Sequence, residues 1–315
     1  MYTNYNVLYH AAPVLAILLL AEAVYMIIEH RHDKKDMLTS IGLALVALPL
    51  SILIKGVVLY SYTLIYQHRL FTIPANNWWT WLIIFLGDDI SYYWYHRMSH
   101  QVRFLWASHM VHHSSEKFTL SSGLRIPWTS NLTGTFLFWA WMPLIGVEPA
   151  TVILMKSISV IYQFWMHTET IKKLPGWYEA VFNTPSHHRV HHSSNVEYLD
   201  KNHAGTLIIW DKLFGTFYQE NFKPKYGLTE NIKSFNPVTI AFHEWKNIFR
   251  DIKRSKKIKD RINYLLKAPG WSHDGITKTT KQLRTDLKIT KNGRIEIQRT
   301  QIKHPIYAYE NRSMI

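Results

Sequence analysis

The chain has no cysteine, which excludes a disulfide framework and any thiolate-held metal. A metal, if present, must be held by nitrogen and oxygen. Charge is scarce in five stretches. Tyr9 to Glu29 is nearly all Leu, Ala, Val and Ile, and Ser40 to Gln67 carries Lys55 as its single charge. Trp78 to Tyr95 is apolar apart from Asp88 and Asp89, while Leu132–Val147 and Ala150–His167 hold only Lys156 between them. About 20 helical residues cross a bilayer core of about 30 Å, so all but the fourth are long enough. Gly146, Glu148 and Pro149 separate the fourth from the fifth, as in a tight helical hairpin. These spans predict an all-α integral membrane protein with about four to five transmembrane helices. Buried helices of a large soluble protein are the alternative. The first segment lacks a small-residue cleavage site and is followed, not preceded, by basic residues, so it reads as a retained helix and not as a signal peptide.

Acid is scarce at the C-terminal end. From Lys246 to Ile315 there are 18 Lys and Arg against 6 Asp and Glu, so most of the formal +14 lies there. Nucleic acid is one partner for such a tail, but in a membrane protein an anionic membrane surface fits better, and no nucleic acid is expected. The loop "EHRHDKKD" marks its side as cytoplasmic. Counting crossings from it puts "HRLFTIPANN" outside and brings the third segment back at His96. The hairpin turn at Gly146 to Pro149 falls outside, and His167, before Lys172 and Lys173, inside. Every histidine cluster and the basic tail then share one side. Lys55, deep in the second segment, points to two shorter helices or a re-entrant one.

Histidine is what the sequence gathers. "HRMSH" places His96 and His100 four apart, "HMVHH" supplies His109, His112 and His113, and "HRVHH" supplies His188, His191 and His192. Residues three and four apart share a helix face, so each group can aim two or three imidazoles at one point. Eight rings exceed the needs of one ion, whereas two ions with about four nitrogens each fit the count. Nitrogen-rich sites suit iron or zinc, and redox chemistry favours iron. His167, ending the fifth segment, is a ninth candidate ligand. His187, turned about 100° from His188, and His203 in "DKNH" are candidates for a supporting role. His10, His30, His68, His243, His273 and His304 read as ordinary polar groups, and His32 belongs with the basic loop. Asp89 lies seven residues before His96 on the same face, where its carboxylate would take the free ring N–H of a ligating histidine; Asp88 is its rival. Glu116, Glu169 and Asp211 are further supporting candidates, each equally readable as a cap or an ion-pair partner.

These motifs, with their flanks "DDISYYWYHRMSH", "HMVHHSSEKFTLSSGLR", "YQFWMHTE" and "NTPSHHRVHHSSNVEYLDKNHAGTLIIWDKLFGTF", resemble the integral-membrane fatty acid hydroxylase and sterol desaturase superfamily. Its pattern is H-x-x-x-H, H-x-x-H-H, H-x-x-H-H. "NTPSHHRVHH", "LIIWDKLFGTF" and "YGLTENIKSFNP" point to its ether-cleaving, alkylglycerol monooxygenase branch. The resemblance runs from about Asn77 to Asn236 and departs at His203, where relatives often carry Tyr. It implies two Fe ions held by histidine beneath a cap of cytosolic helices, and O₂-dependent attack on a lipid C–H bond. In an ether-cleaving member the carbon beside the ether oxygen is hydroxylated, and the hemiacetal collapses to an aldehyde and a glycerol. Tetrahydrobiopterin supplies the electrons there; other members use a b-type cytochrome or a ferredoxin, and hydroxylate or desaturate sterols, fatty acids or carotenoids. The domains expected are membrane helices over 1–76, a catalytic unit over 77–236 and a basic region over 237–315.

The physical logic is independent. An unactivated C–H bond offers no acidic proton and no leaving group, so a redox metal must supply the oxidant while the protein orients and dries the site. Metal ligands at helix ends let a lipid rise from the bilayer and a cytosolic reductant arrive from the other side. Tyr92, Tyr93, Trp94, Trp106, Trp128, Phe164 and Trp165 are candidates to line a lipid channel or, equally, to sit at the membrane boundary. "FHEWKNIFRDIKRSKKIKDRINYLL" reads as a basic amphipathic helix that either lies on anionic lipid or packs on the cap. The last residues, around "KNG", read as a short strand pair or a loose tail. Two competing functions remain open: a metal transporter, whose ligands belong at the membrane midplane, and a zinc hydrolase, which needs fewer histidines.

Overall fold

A computed structural model describes residues 7–287; the strand pair expected around "KNG" and His304 lie outside them. The described residues form helices, with only isolated β-bridges between extended segments. Two long helices open the chain, α1 (Val7–Ile28) and α2 (Lys34–Gln67). Asp33 caps α2 by accepting from the Asp36 N–H. Despite Pro49 and Lys55, α2 is one unbroken helix of 34 residues, about 51 Å long. The expectation of two shorter helices or a re-entrant one is therefore corrected: a single charge on a long apolar helix does not break its hydrogen-bond ladder. Both α1 and α2 are long and apolar enough to cross a membrane.

Helix α3 (Trp78–Gln101) carries the first histidine pair at its C-terminal end, and α4 (Arg103–His113) carries the second motif. Extended Val102 (φ −118°, ψ 117°) forms the elbow between them. The fourth apolar stretch is not the helix its composition predicts. It folds as 3₁₀ turns over Asn131–Thr133 and Thr135–Trp139, followed by the short α5 (Trp141–Ile145). Gly134 (φ 78°) and Gly146 (φ 114°) take left-handed conformations that interrupt it. Helix α6 (Pro149–Phe164) has 16 residues, about 24 Å, so the expected hairpin is a broken arm against a short helix. Gly146 also packs tightly: a Cβ there would stand 2.3 Å from the Phe71 carbonyl oxygen. Gly146→Ala is expected to cost roughly 1–3 kcal/mol from backbone strain, read as a lowered unfolding temperature in detergent. Gly56→Ala, where a Cβ meets nothing within 4 Å, is the neutral comparison.

The remaining α-helices among the described residues are α7 (Gly176–Glu179), α8 (Pro185–His191), α9 (Ile209–Leu213), α10 (Pro237–Arg254), α11 (Ile258–Leu266) and α12 (Thr280–Asp286). Buried carboxylates tie the long helices to the segments that follow α4 and α6. Glu22 of α1 accepts from the Leu120 N–H and the Thr168 hydroxyl, and Asp36 of α2 pairs with Arg125 and accepts from Ser115. Arg103 joins α4 to α10 through Glu244 at 2.6 Å and Asp251 at 2.8 Å. One apolar cluster packs α2, α3, α5 and α6 around Tyr62, Ile84 and Met142; a second packs α2, α4 and α10 around Leu43, Met110 and Ile240. Helix α10 and the segments after α4 and α6 are thus fixed to α1 and the N-terminal half of α2, beside the histidine-bearing α4.

Candidate metal centre

Nine imidazoles meet where α3, α4, α8 and the turn after α6 converge. They sort into two groups whose ligand atoms lie within 4.8 Å of one another: His96, His100, His109, His113 and His191, and His112, His167, His188 and His192. The sorting cuts across the sequence motifs. On α4, His109 and His113 are about 40° apart around the axis and join the larger group, while His112 turns to the smaller one. On α8 the assignment is reversed: His188 and His192 join the smaller group and His191 crosses to the larger. His113 and His192 stack between the groups, ring centroids 4.3 Å apart.

The ring nitrogens are set to receive a cation. His96 Nδ1 lies 2.8 Å from the His203 carbonyl, His191 Nδ1 2.9 Å from that of Lys201, and His167 Nδ1 3.0 Å from that of Gln163. A carbonyl only accepts, so each Nδ1 carries the proton and each Nε2 presents a lone pair inward. Inside the groups, Nε2 atoms crowd together: His96 and His109 at 2.9 Å, His113 and His191 at 3.1 Å, His167 and His188 at 2.9 Å, His188 and His192 at 3.1 Å. Metal–nitrogen bonds of about 2.1 Å at right angles put neighbouring nitrogens about 3 Å apart. His100 Nε2 is buried with no hydrogen-bond partner, and its Nδ1 faces Asp200 at 3.6 Å. The donor set therefore fits metal ions bound by neutral imidazole, and the histidine cluster fits iron.

Burial, followed by neighbouring imidazoles, holds His109, His113, His188, His191 and His192 well below the ordinary histidine range; for His112, burial leads and His167 follows. The unfolded chain takes up protons on these rings below about pH 6.5 while the folded chain does not. Stability of the metal-free protein therefore falls as pH drops through that value and is insensitive to these groups above it. Unfolding temperatures of stripped protein between pH 7.5 and 5.5 are expected to decline, and bound metal to raise them throughout while leaving the decline in place, because the folded rings carry no proton in either state.

The supporting residues sit differently from expectation. Asp89 does not reach a histidine: it accepts from the Thr206 and Leu207 backbone N–H groups at 2.7 and 2.9 Å and from Trp210 Nε1 at 2.9 Å. Asp211 accepts from the His203 and Ala204 N–H groups at 2.8 and 2.7 Å and from the Thr216 hydroxyl. Both carboxylates hold the 203–207 segment, whose first carbonyl orients His96. Gly205 belongs to this clamp, since a Cβ there would stand 3.0 Å from Asp89 Oδ1 and 2.9 Å from the Tyr92 ring. Asp88 accepts from Trp139 Nε1 instead. Glu169 pairs with Arg31 and accepts from Tyr226, and Glu116 is exposed. Buried His187 stays outside both groups, with its ring edge-on to Phe217. His203 is buried beside the larger group, with centroids 5.0 Å from His100 and 5.6 Å from His191.

Four contributors were not singled out from sequence. They are Asp200, Phe118, whose ring lies 5.2 Å from His192, and the Lys201 and Gln163 carbonyls. "YLDKNH" held the clue to Asp200, an acid in a histidine-bearing loop. Asp200 and Asn202 adopt left-handed backbone (φ 52° and 54°), and Asn202 pins the loop to the carbonyls of His187 and Tyr218. Of the aromatic candidates, Tyr92 contacts His96 and Trp106 contacts His100. Tyr93 and Trp94 instead pack on Phe214, Trp128 bonds the Leu43 carbonyl and Trp165 lies against Tyr162. A cavity of about 380 Å³ reaches His100, His113 and His191, with Arg103, Trp106 and Glu244 in its wall.

The helical scaffold presents paired imidazole clusters that could each hold a metal ion, and residues 81–216 match the Fatty acid hydroxylase family model. Alkylglycerol monooxygenases are homologues of this chain: that of Homo sapiens is 42% identical over 237 residues, covering 75% of this chain and 53% of the relative. That of Danio rerio is 37% identical over 266 residues, covering 83% and 59%. Ornithine lipid hydroxylase OlsE of Rhizobium tropici is 26% identical over 130 residues, 41% of this chain and 39% of that protein. The chain spans between half and three-fifths of the length of the alkylglycerol monooxygenases it matches. No solved structure gives a significant match.

Proposed function

We propose that this chain is a membrane-bound monooxygenase that hydroxylates a lipid C–H bond with O₂, acting on ether lipids at the carbon beside the ether oxygen. The observation that carries this is the convergence of nine imidazoles into two groups, enough for two iron ions. Bound iron would supply O₂ activation. The alkylglycerol monooxygenase homologues favour ether cleavage over sterol or fatty acid hydroxylation or desaturation. The balanced reaction takes an ether R–CH₂–O–R′, O₂, two electrons and two protons to the hemiacetal and water. The hemiacetal then collapses to an aldehyde and the alcohol R′–OH.

The chain's own residues hold and orient. Backbone carbonyls of Gln163, Lys201 and His203 fix three ring tautomers, Asp89 and Asp211 hold the loop supplying one of those carbonyls, and Phe118, Tyr92 and Trp106 wall the rings from water. The cavity beside His100, His113 and His191 has the volume of a small-molecule site, which suits a diffusible donor such as tetrahydrobiopterin; a b-type cytochrome or a ferredoxin would dock on the surface instead. Residues 77–236 form the catalytic unit, 1–76 the membrane helices and 237–315 the basic region facing anionic lipid. Arg31, Lys34 and Lys35, at the same end as the rings, favour a multi-pass arrangement with the centre on the cytoplasmic side.

The test is iron content, O₂ uptake and product analysis on iron-replete purified protein with alkylglycerols, sterols and fatty acids, offered each class of donor. Aldehyde release from alkylglycerol with about two iron atoms per chain is expected. Iron well below one per chain, or lipid turnover without O₂, would overturn the assignment and favour a zinc hydrolase. Ion flux in proteoliposomes that His96→Ala abolishes would favour a transporter.

A further inference from the structure

Helix α10 has two apolar faces, and the fold uses one. Ile240, Ala241 and Ile248 are buried on the side that packs on α2 and α4, where Asp251 also pairs with Arg103. At about 100° per residue, Val238, Phe242 and Phe249 fall on a separate stripe spread over about 40°. They are 57%, 46% and 70% exposed. Next to this stripe in sequence, Lys253, Arg254, Lys256, Lys257, Lys259 and Arg261 are all exposed, and the acid among them, Asp260, is half-buried. Soluble surfaces rarely align exposed aromatics beside so one-sided a charge.

The stripe's height on the molecule is fixed by α2. Pro237 abuts Gly42, where a Cβ would stand 3.1 Å from the proline ring, and the Thr39 hydroxyl donates to the Phe235 carbonyl at 3.0 Å. The outward apolar surface of α2 begins at Leu38, one turn past Lys34 and Lys35, and the Lys35 ammonium sits over the Phe235 ring. Helix α10 therefore starts at the level where α2 passes from charged to apolar.

We infer that α10 lies in the headgroup layer of an anionic bilayer, with Val238, Phe242 and Phe249 dipped below the phosphates and the cations of residues 253–261 paired with them. This rests on reading α2 as membrane-spanning. Because the opposite face of α10 packs on α4, the helix that carries His109, His112 and His113, the lipid surface becomes one wall of the catalytic support.

The absence of cysteine makes the test clean. Single substitutions Phe249→Cys, Ile52→Cys on the outward face of α2 and Lys223→Cys on an exposed loop each receive an environment-sensitive fluorophore. The full chain is placed in nanodiscs of phosphatidylcholine with or without phosphatidylserine. The label at 249 is expected to be shielded from aqueous iodide, to be quenched by shallow spin-labelled lipid, and to be quenched at least about twofold more with phosphatidylserine present. Adding Lys253→Glu, Lys256→Glu and Lys257→Glu should abolish that gain. Iodide access at 249 equal to that at 223, with 52 shielded and quenched by deep labels, overturns the inference alone. Iodide access at 52 overturns the membrane reading and this inference with it. Shielding at 249 in detergent that rises with protein concentration assigns the stripe to a second copy and also overturns it.

Discussion

Replacing His191 with alanine is expected to lower bound iron and reduce turnover by more than about 100-fold. Loss of a group that merely orients a ligand costs about 10- to 100-fold, and His191 is placed as a ligand. Its Nε2 stands 3.1 Å from that of His113, and its ring centroid lies 4.2 Å from His96 and 4.8 Å from His100. The Lys201 carbonyl holds its Nδ1 proton, so its Nε2 presents the lone pair to the group. It is also the α8 residue that crosses into the larger group, so its removal leaves that group tied to α3 and α4 alone. Iron per chain and aldehyde formation measure the effect. His68→Ala, at an exposed position beyond the far end of α2, should change neither. Iron content and turnover that both survive His191→Ala would mean that this ring is not a ligand.

Asp211→Ala is expected to lower iron affinity or activity by about 10- to 100-fold although Asp211 touches no ring of the two groups. Its carboxylate accepts two backbone N–H groups and the Thr216 hydroxyl, all buried. Truncation leaves the two backbone N–H groups unpaired at about 1–3 kcal/mol each and frees the segment whose His203 carbonyl fixes the His96 tautomer. Asp211→Asn keeps one acceptor oxygen and should fall between wild type and alanine. A metal titration separates this from simple misfolding: weakened iron binding in a variant that unfolds cooperatively at a lowered temperature is the expected pair of results. Unchanged affinity would show that the loop holds its place without the carboxylate.

The sequence made the histidines legible because helical spacing is a local property. Rings four apart share a face whatever the tertiary structure, so His96 with His100, and His188 with His192, were readable as sets. Their division between two groups was not, because it depends on where α4 and α8 lie around each other. The Asp89 reading failed on length: seven residues along a helix is about 10.5 Å, beyond the reach of a carboxylate, and another chain segment took up its oxygens. Asp200 escaped notice because a left-handed loop has no periodicity to betray it. The fourth apolar stretch misled because composition registers apolarity and not the break that Gly134 and Gly146 impose. Length and hydropathy were sufficient for the existence of α1 and α2, although Lys55 suggested a break that α2 does not have.

The exchange of ligands between α4 and α8 has a thermodynamic consequence. Each of these helices donates to both groups, so an ion seated in one restrains the donors of the other before it is filled. Loading is therefore expected to be positively cooperative: a titration of stripped protein with ferrous iron should be sigmoidal, and half-filled molecules should be scarce at every point along it.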